Sequence, residues 1–161
     1  VGSVRDYKGL EALADAARHT ELPVTLVGAT AGDALARALV ERSQGRLRLR
    51  PPVPYTRVPD VLAGFAVLVL PLADNLFGQR LTSPLKLWDA LAVGRPLVAA
   101  DLPSLHAAAP GAFLPYTPGD GASLARAIER AASGAWTPPP PRLRTWADRA
   151  RELREFVEAL P

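Results

Sequence analysis

The sequence predicts an α/β fold, a Rossmann-like parallel sheet with helices on both faces, from two observations. Short apolar runs bounded by turn residues alternate with longer amphipathic stretches along most of the chain, the pattern of strand-helix units with crossover connections. Two of the helix starts also carry a lysine in the first turn, where the positive end of the helix dipole disfavours a cation. In an open parallel sheet helix N-termini gather at the carboxyl ends of the strands, so both lysines point to one bound anion there.

The elements follow in order. Gly2-Ser3-Val4-Arg5 closes a strand, and Asp6 caps a helix over Tyr7 to Arg18 with Lys8 in its first turn. A strand at Val24 to Val27 leads to a helix over Gly32 to Arg42. Leu47 to Arg50 is a strand whose alternating arginines suit an edge. A short helix, Val58 to Gly64, precedes a buried strand at Ala66 to Leu70. The loop from Pro71 to Thr82 comes next, with Asp74 and Asn75 as turn formers.

Ser83 as N-cap and Pro84 at the first helical position start a helix that Gly94 ends near Val93, with Lys86 in its first turn. Steps of three put Ser83, Lys86 and Asp89 on one side and Leu85, Trp88, Leu91 and Ala92 on a packing side. The alternative for Lys86 is an exposed pair with Asp89 at i,i+3. Leu97 to Ala100, Pro103 to Ala108, Ala112 to Leu114 and Gly121 to Ala132 are then strand, helix, strand and helix. Residues 1–135 form the main domain, 136–141 a Pro-rich linker and 142–161 a terminal amphipathic helix, striped by Leu143, Trp146, Ala150, Leu153, Val157 and Leu160. Packing on the main domain is the favoured role for that stripe, set against packing onto the missing amino-terminal half and contact with an anionic membrane surface.

Composition narrows the class. With 161 residues, 48% of them hydrophobic, the chain can bury a substantial core. It has no cysteine, which excludes disulfides and thiolate metal sites and suits a reducing compartment. No stretch reads as a membrane span or signal peptide, and the absence of methionine even at position 1 suggests a piece of a longer chain. A net charge of +3 without an aromatic platform disfavours nucleic acid. His19 and His106 have no nucleophile arrangement around them in sequence.

Val1-Gly2-Ser3, Lys8-Gly9, Leu26-Val27-Gly28, Val58-Pro59-Asp60, Val67 to Pro71, Ser83 to Asp89, Gly94 to Asp101 and Pro118-Gly119-Asp120, in this order and spacing, resemble the glycosyl transferases group 1 family. The similarity is to the carboxy-terminal, donor-binding half of retaining GT-B glycosyltransferases of family 4. It implies that Lys8 contacts the diphosphate of a nucleotide-sugar donor, that backbone N–H groups at Ser83 and Leu85 cradle the same group, and that Asp89 accepts hydrogen bonds from the ribose. The family's frequent arginine five residues before its lysine falls on Ser3, with Arg5 as a substitute. Its first glutamate falls on Leu81, a departure shared by relatives with Ser-Pro-x-Lys.

Lys8, Lys86 and Arg80 are therefore the candidate catalytic cations, stabilising the departing diphosphate. Ser3, Arg5, Lys8, Thr82, Ser83, Leu85, Lys86 and Asp89 are the candidate donor-binding residues. No metal and no tightly bound cofactor is expected. The expected partners are the nucleotide sugar and an amino-terminal acceptor-binding domain. Nucleic acid is not among them, and peripheral membrane contact would come through a lipid-linked acceptor. The expected place is the cytoplasm, with the inner membrane face as a further option. Retaining sugar transfer is set against two alternatives, a non-catalytic nucleotide-sugar binding module and a nucleotide-sugar epimerase.

Overall fold

The computed structural model describes residues 2–81, 85–137 and 145–160, with the backbone alone at Leu81. Five strands and seven α-helices alternate among these residues. They are α1 (Leu10–His19), β1 (Thr25–Val27), α2 (Ala34–Arg42), β2 (Arg48–Arg50), α3 (Val58–Ala63), β3 (Leu68–Leu70), α4 (Leu85–Val93), β4 (Leu97–Ala100), α5 (Pro103–Ala108), β5 (Leu114–Tyr116), α6 (Gly121–Ala132) and α7 (Trp146–Glu158).

Every strand pair is parallel, as expected, but the pairs fall into two sheets, β1–β2 and β3–β4–β5. β4 is buried at all four positions, the mark of a central parallel strand covered on both faces. β5 begins two residues later than the sequence suggests. Ala112 is held in a turn by its N–H donating to the Ala109 carbonyl, and pairing starts only when Val98 meets Leu114. α6 packs along α1 and onto β4 and β5, and α1 also packs on α2. Residues from both sheets share one core, which includes Leu26, Leu70, Leu97, Leu105, Leu124 and Ile128.

The first helix differs from its expected form. Asp6–Lys8 is a 3-10 turn, Gly9 takes the left-handed conformation (φ 63°), and α1 starts only at Leu10. Asp6 accepts from the N–H of Tyr7 and not from an α1 amide, and Lys8 lies just ahead of the helix. Gly9 causes the break. A Cβ there would sit 2.8 Å from the Leu72 carbonyl carbon, so only glycine allows both the turn and this backbone approach.

α4 keeps Lys86 in its first turn but is rotated relative to the expected packing side. Leu87, Ala90 and Leu91 are buried, Leu85 is 63% exposed, and Ala92 faces outward. The helix rests on α3 and β3. Leu85 is left at the exposed end. Ser83 and Pro84, the expected cap and first residue, lie outside the described residues, as do Thr82 and the proline run.

α7 is well capped, with Thr145 and Asp148 each accepting from the other's backbone N–H. None of its residues is buried, and Trp146 is 85% exposed. The apolar stripe is real, but packing on the main domain is not found among the described residues. Leu143 lies outside them.

Candidate functional site

The segment Gly2–Gly9 crosses the carboxyl ends of β1 and β3. At one end the Gly2 N–H donates to the Val27 carbonyl (2.8 Å), and at the other Gly9 presses on Leu72 and Ala73 beyond β3. Val4 anchors the middle in the core. Arg5, Lys8 and Ser3 thereby stand at the strand ends, where the first turn of α4 also arrives.

Lys86 of α4 reaches across to this segment. Its side chain fills the space where a Cβ on Gly2 would stand. It also comes within hydrogen-bonding reach of Lys8. The Lys8 Nζ donates to the Ser3 carbonyl (2.7 Å) and to the Ser3 hydroxyl (3.1 Å), and lies 5.9 Å from the centre of the Tyr7 ring. Burial, then the neighbouring Lys86, then Arg5, push the Lys8 ammonium below the ordinary lysine range. No carboxylate among the described residues forms an ion pair with Lys8, Lys86 or Arg5. Three cations thus stand together on one small surface, none of them ion-paired among the described residues.

The exposed pair between Lys86 and Asp89 is not formed. Asp89 is half-buried one turn further along α4 and makes no hydrogen bond or ion pair among the described residues. Its lone pairs are free for a ligand's hydroxyls. The first-turn amide of Leu85 belongs to the same helix end. Thr82 and Ser83 lie outside the described residues.

Arg80 sits on a π-helical turn, Phe77–Leu81, that the sequence pattern does not announce. It is exposed and makes no hydrogen bond or ion pair among the described residues, and no contact joins it to the lysines. The turn itself is held firmly. Asn75 accepts from the Gly78 N–H (2.9 Å), Asp74 from the Gln79 amide (2.6 Å), and the Ser104 hydroxyl donates to the Gly78 carbonyl (2.6 Å). Phe77 meets Tyr7 edge-on with ring centres 5.1 Å apart, which brings the loop beside the cation segment. Asp74 and Asn75 are thus turn formers, as expected. Ser104 and Tyr7 were missed, since a lone serine and a lone tyrosine carry no signal until the fold sets them against the loop.

His106 has a carboxylate partner after all, with its Nε2 2.7 Å from Asp101 Oδ1 and its ring against Phe113. The nearby Ser104 hydroxyl is engaged with Gly78 and has no part in that pair. The arrangement is a brace for α5 and not a nucleophilic triad. Among the described residues no three His, Cys, Asp or Glu side chains gather as a metal site would require.

Parallel β-α units with a cation cluster at the strand ends define a Rossmann-like α/β domain, an architecture whose strand ends are where such folds commonly bind anions. The family model described as glycosyl transferases group 1 matches residues 1–133, and the chain belongs to that family. No curated protein matches it in sequence. Its fold is similar to HepE of Anabaena, solved with UDP-glucose, at TM-score 0.70 and 17% identity over 99% of this chain and 48% of that one. It is similar also to sucrose-phosphate synthase of Thermosynechococcus elongatus, at TM-score 0.73 and 22% identity over 96% of this chain and 42% of that one. A glycosyltransferase of Rickettsia africae gives TM-score 0.64 and 13% identity over 84% and 38%. The chain spans about half the length of these proteins or less.

Proposed function

We propose that this chain is the donor-binding half of a glycosyltransferase that moves a sugar from a nucleotide diphosphate onto an acceptor held by an amino-terminal half. The observation that carries the reading is the convergence of Lys8, Lys86 and Arg5, none of them ion-paired among the described residues. A diphosphate on that surface replaces mutual repulsion by charge-assisted hydrogen bonds. Asp89, one turn beyond Lys86, is in place for the ribose hydroxyls, and the Leu85 amide for a phosphate oxygen. Ser3 holds Lys8 until the anion arrives.

In the reaction the bond from the anomeric carbon to the diphosphate oxygen breaks, and negative charge builds on the leaving group. Lys8 and Lys86 stabilise that charge where they already stand, with little reorganisation. Arg80, exposed at the end of the π-helical turn, adds a forked donor when the loop meets the bound sugar. The acceptor hydroxyl oxygen forms the new bond on the same face as its proton passes to the departing diphosphate oxygen, so configuration is retained. Residue 81 is a leucine and carries no carboxylate, which leaves the work to the cations. No resident metal is needed for this charge balance. Cysteine-free composition supports a cytosolic place, with a lipid-linked acceptor the reason for any approach to the inner membrane face. No described helix is long and apolar enough to cross a membrane.

The test is calorimetry of the 161-residue chain with the nucleoside, monophosphate and diphosphate of uridine, guanosine and adenosine, beside product analysis of the full-length protein with the matching sugar donor. A diphosphate bound far better than its nucleoside, and product of retained anomeric configuration made only by the full-length protein, are expected. Equal binding of nucleoside and diphosphate would remove the anion site. Donor isomerised without acceptor would make the protein an epimerase, and binding with no transfer by the full-length chain would make it a binding module.

A further inference from the structure

Two glycines close on one residue of the loop that follows β3. A Cβ on Gly9 would lie 2.9 Å from the Ala73 nitrogen, and a Cβ on Gly78 would overlap the Ala73 carbonyl oxygen. Gly9 follows Lys8, and Gly78 precedes Arg80 in the π-helical turn. The Ala73 backbone thus sets the arginine turn beside the lysine segment, and the edge-on contact of Phe77 with Tyr7 joins the same two pieces a second time.

Gly78 is the fixed point of that turn. It is buried, its N–H donates to Asn75 (2.9 Å), and its carbonyl accepts from the Ser104 hydroxyl (2.6 Å). The bond to Asn75 runs inside the loop and travels with it, as do those of Gln79 to Asp74 and of the Asn75 N–H to the Ala73 carbonyl (3.0 Å). The Ser104 bond does not, because Ser104 belongs to α5 and α5 is anchored in the core. Leu102 and Leu105 are buried there, and His106 is held by Asp101 and Phe113. Leu102 also comes within 3.3 Å of where a Gly78 Cβ would stand. Among the described residues, the Ser104 hydroxyl is therefore the hydrogen-bond link between residues 73–81 and a part of the molecule that does not move with them.

We propose that Ser104 is a positioning residue for sugar transfer: through the Gly78 carbonyl, its hydroxyl sets the turn that delivers Arg80 to the departing diphosphate. This rests on the donor-binding reading and on the part that reading gives Arg80. Ser104 itself touches no substrate. The Arg80 side chain is exposed and without a protein partner among the described residues, so the space it can reach is decided by the backbone that carries it. Removing the Ser104 hydroxyl strands a carbonyl of a buried residue, and the turn must shift to give it a new partner. A shift of about 1 Å in a group that acts on the transition state costs up to about 100-fold in rate. The lysines keep their own anchors, Gly2 on Val27 and α4 on α3 and β3. Ground-state hold on the diphosphate is thereby spared, and the loss falls on kcat and not on donor KM.

Kinetics of the full-length protein with UDP-, GDP- and ADP-glucose test this in Ser104→Ala and Ser104→Thr, each made in the parent and in Arg80→Ala. Ser104→Ala should lower kcat about 10-fold with donor KM changed by less than about twofold. Ser104→Thr keeps the hydroxyl and should restore most of the rate. In the Arg80→Ala background Ser104→Ala should cost little more, since the two residues act as a unit. A serine that only stabilises α5 would instead lower the melting point and cost the same in both backgrounds. That result, an unchanged kcat in Ser104→Ala, or no recovery with threonine would overturn the proposal and leave the donor reading standing. Arg80→Ala with the parent's kcat would end the part given to Arg80 and this proposal with it. Exchange of the Gly78 amide is read without any sugar donor: about 10-fold faster in Ser104→Ala and at the parent's rate in Ser104→Thr is expected. Equal exchange in all three would overturn the proposal whatever becomes of the donor reading.

Discussion

The ammonium groups of Lys8 and Lys86 meet side by side although one comes from a turn before α1 and the other from the first turn of α4. Like charges that close repel, and only a ligand of opposite sign turns the arrangement to advantage. Lys86→Ala and Lys8→Ala should each cost the diphosphate about 10- to 100-fold in affinity, a charge-assisted hydrogen bond of roughly 1.5 to 3 kcal/mol. The nucleoside should bind as before. Without ligand, Lys86→Ala should melt no lower than the parent, because repulsion is relieved, whereas Lys8→Ala also loses its bonds to Ser3. Unchanged diphosphate affinity in both variants would refute a shared anion site.

The depressed Lys8 makes that binding depend on pH. In the free protein the charged form is disfavoured by burial, by Lys86 and by Arg5, so the ammonium loses its proton below the usual 10.5. A diphosphate raises it again, so binding takes up a proton in the window between the two values. Affinity should therefore fall as pH rises through the free protein's lowered value. The ligand-free protein shows the opposite trend for this group, losing a penalty as pH climbs to 10.5. Lys8→Gln should flatten the affinity profile, and a slope that survives in this variant would assign the proton elsewhere.

Asp89 gives a separate handle on orientation. It is half-buried and without a protein partner among the described residues, and the proposed donor pose sets it on the two ribose hydroxyls. Asp89→Asn should weaken a ribonucleoside diphosphate about tenfold, since a neutral amide replaces a charged acceptor. The 2′,3′-dideoxy analogue should be nearly indifferent. Equal losses for both ligands in a competition assay would take Asp89 off the ribose.

Periodicity and caps made most of the fold readable. β4 was plain because Leu97 to Ala100 is an unbroken apolar run before a turn, and α6 because its stripe is regular. What escaped was set by contacts between distant segments. The break at Gly9 comes from Leu72, distant in the chain, and the rotation of α4 from its seat on α3 and β3. The π-helical turn depends on Ser104 and Asn75, neither of which has a signature. At the site, Lys86 was legible because a cation in a first turn breaks a local rule, whereas Lys8 lies just ahead of α1 and not in its first turn. Tyr7 and Ser104 break none.

Gly121 opens α6 directly against α1, and no unusual backbone conformation explains it. A Cβ there would lie 2.9 Å from the Ala16 nitrogen and into the Asp15 side chain. Asp15 is also clamped by Arg42, which donates from Nε (2.8 Å) and Nη2 (2.6 Å), and that pairing holds the Asp15 carboxyl below its usual range. Gly121→Ala should therefore destabilise by about 1 to 3 kcal/mol through overpacking, despite alanine's better helix propensity. Asp15→Asn should cost less than about 1 kcal/mol, as the pair is partly exposed. Chemical denaturation separates the cases, and a Gly121→Ala protein as stable as the parent would mean that α1 and α6 do not approach so closely.

Tyr116 ends β5 with its ring 2% exposed and its hydroxyl facing the Leu72 backbone, yet the hydroxyl makes no hydrogen bond of normal geometry. Burial pushes the phenol up to about 12 from 10.0. A group protonated more tightly in the folded state supports folding below its unfolded value, and that support is lost as pH rises from 10 to about 12. A rise of that size corresponds to about 2 to 3 kcal/mol, so the parent should lose roughly that much across the window. Tyr116→Phe has no phenol to ionise and leaves no polar atom stranded. It should match or exceed the parent's stability at neutral pH and lack this component of the alkaline loss. Urea midpoints at pH 7, 10 and 12 decide the matter: a substitution that weakens the protein at pH 7 and leaves its alkaline profile unchanged would show that the hydroxyl is bonded and does not titrate with unfolding.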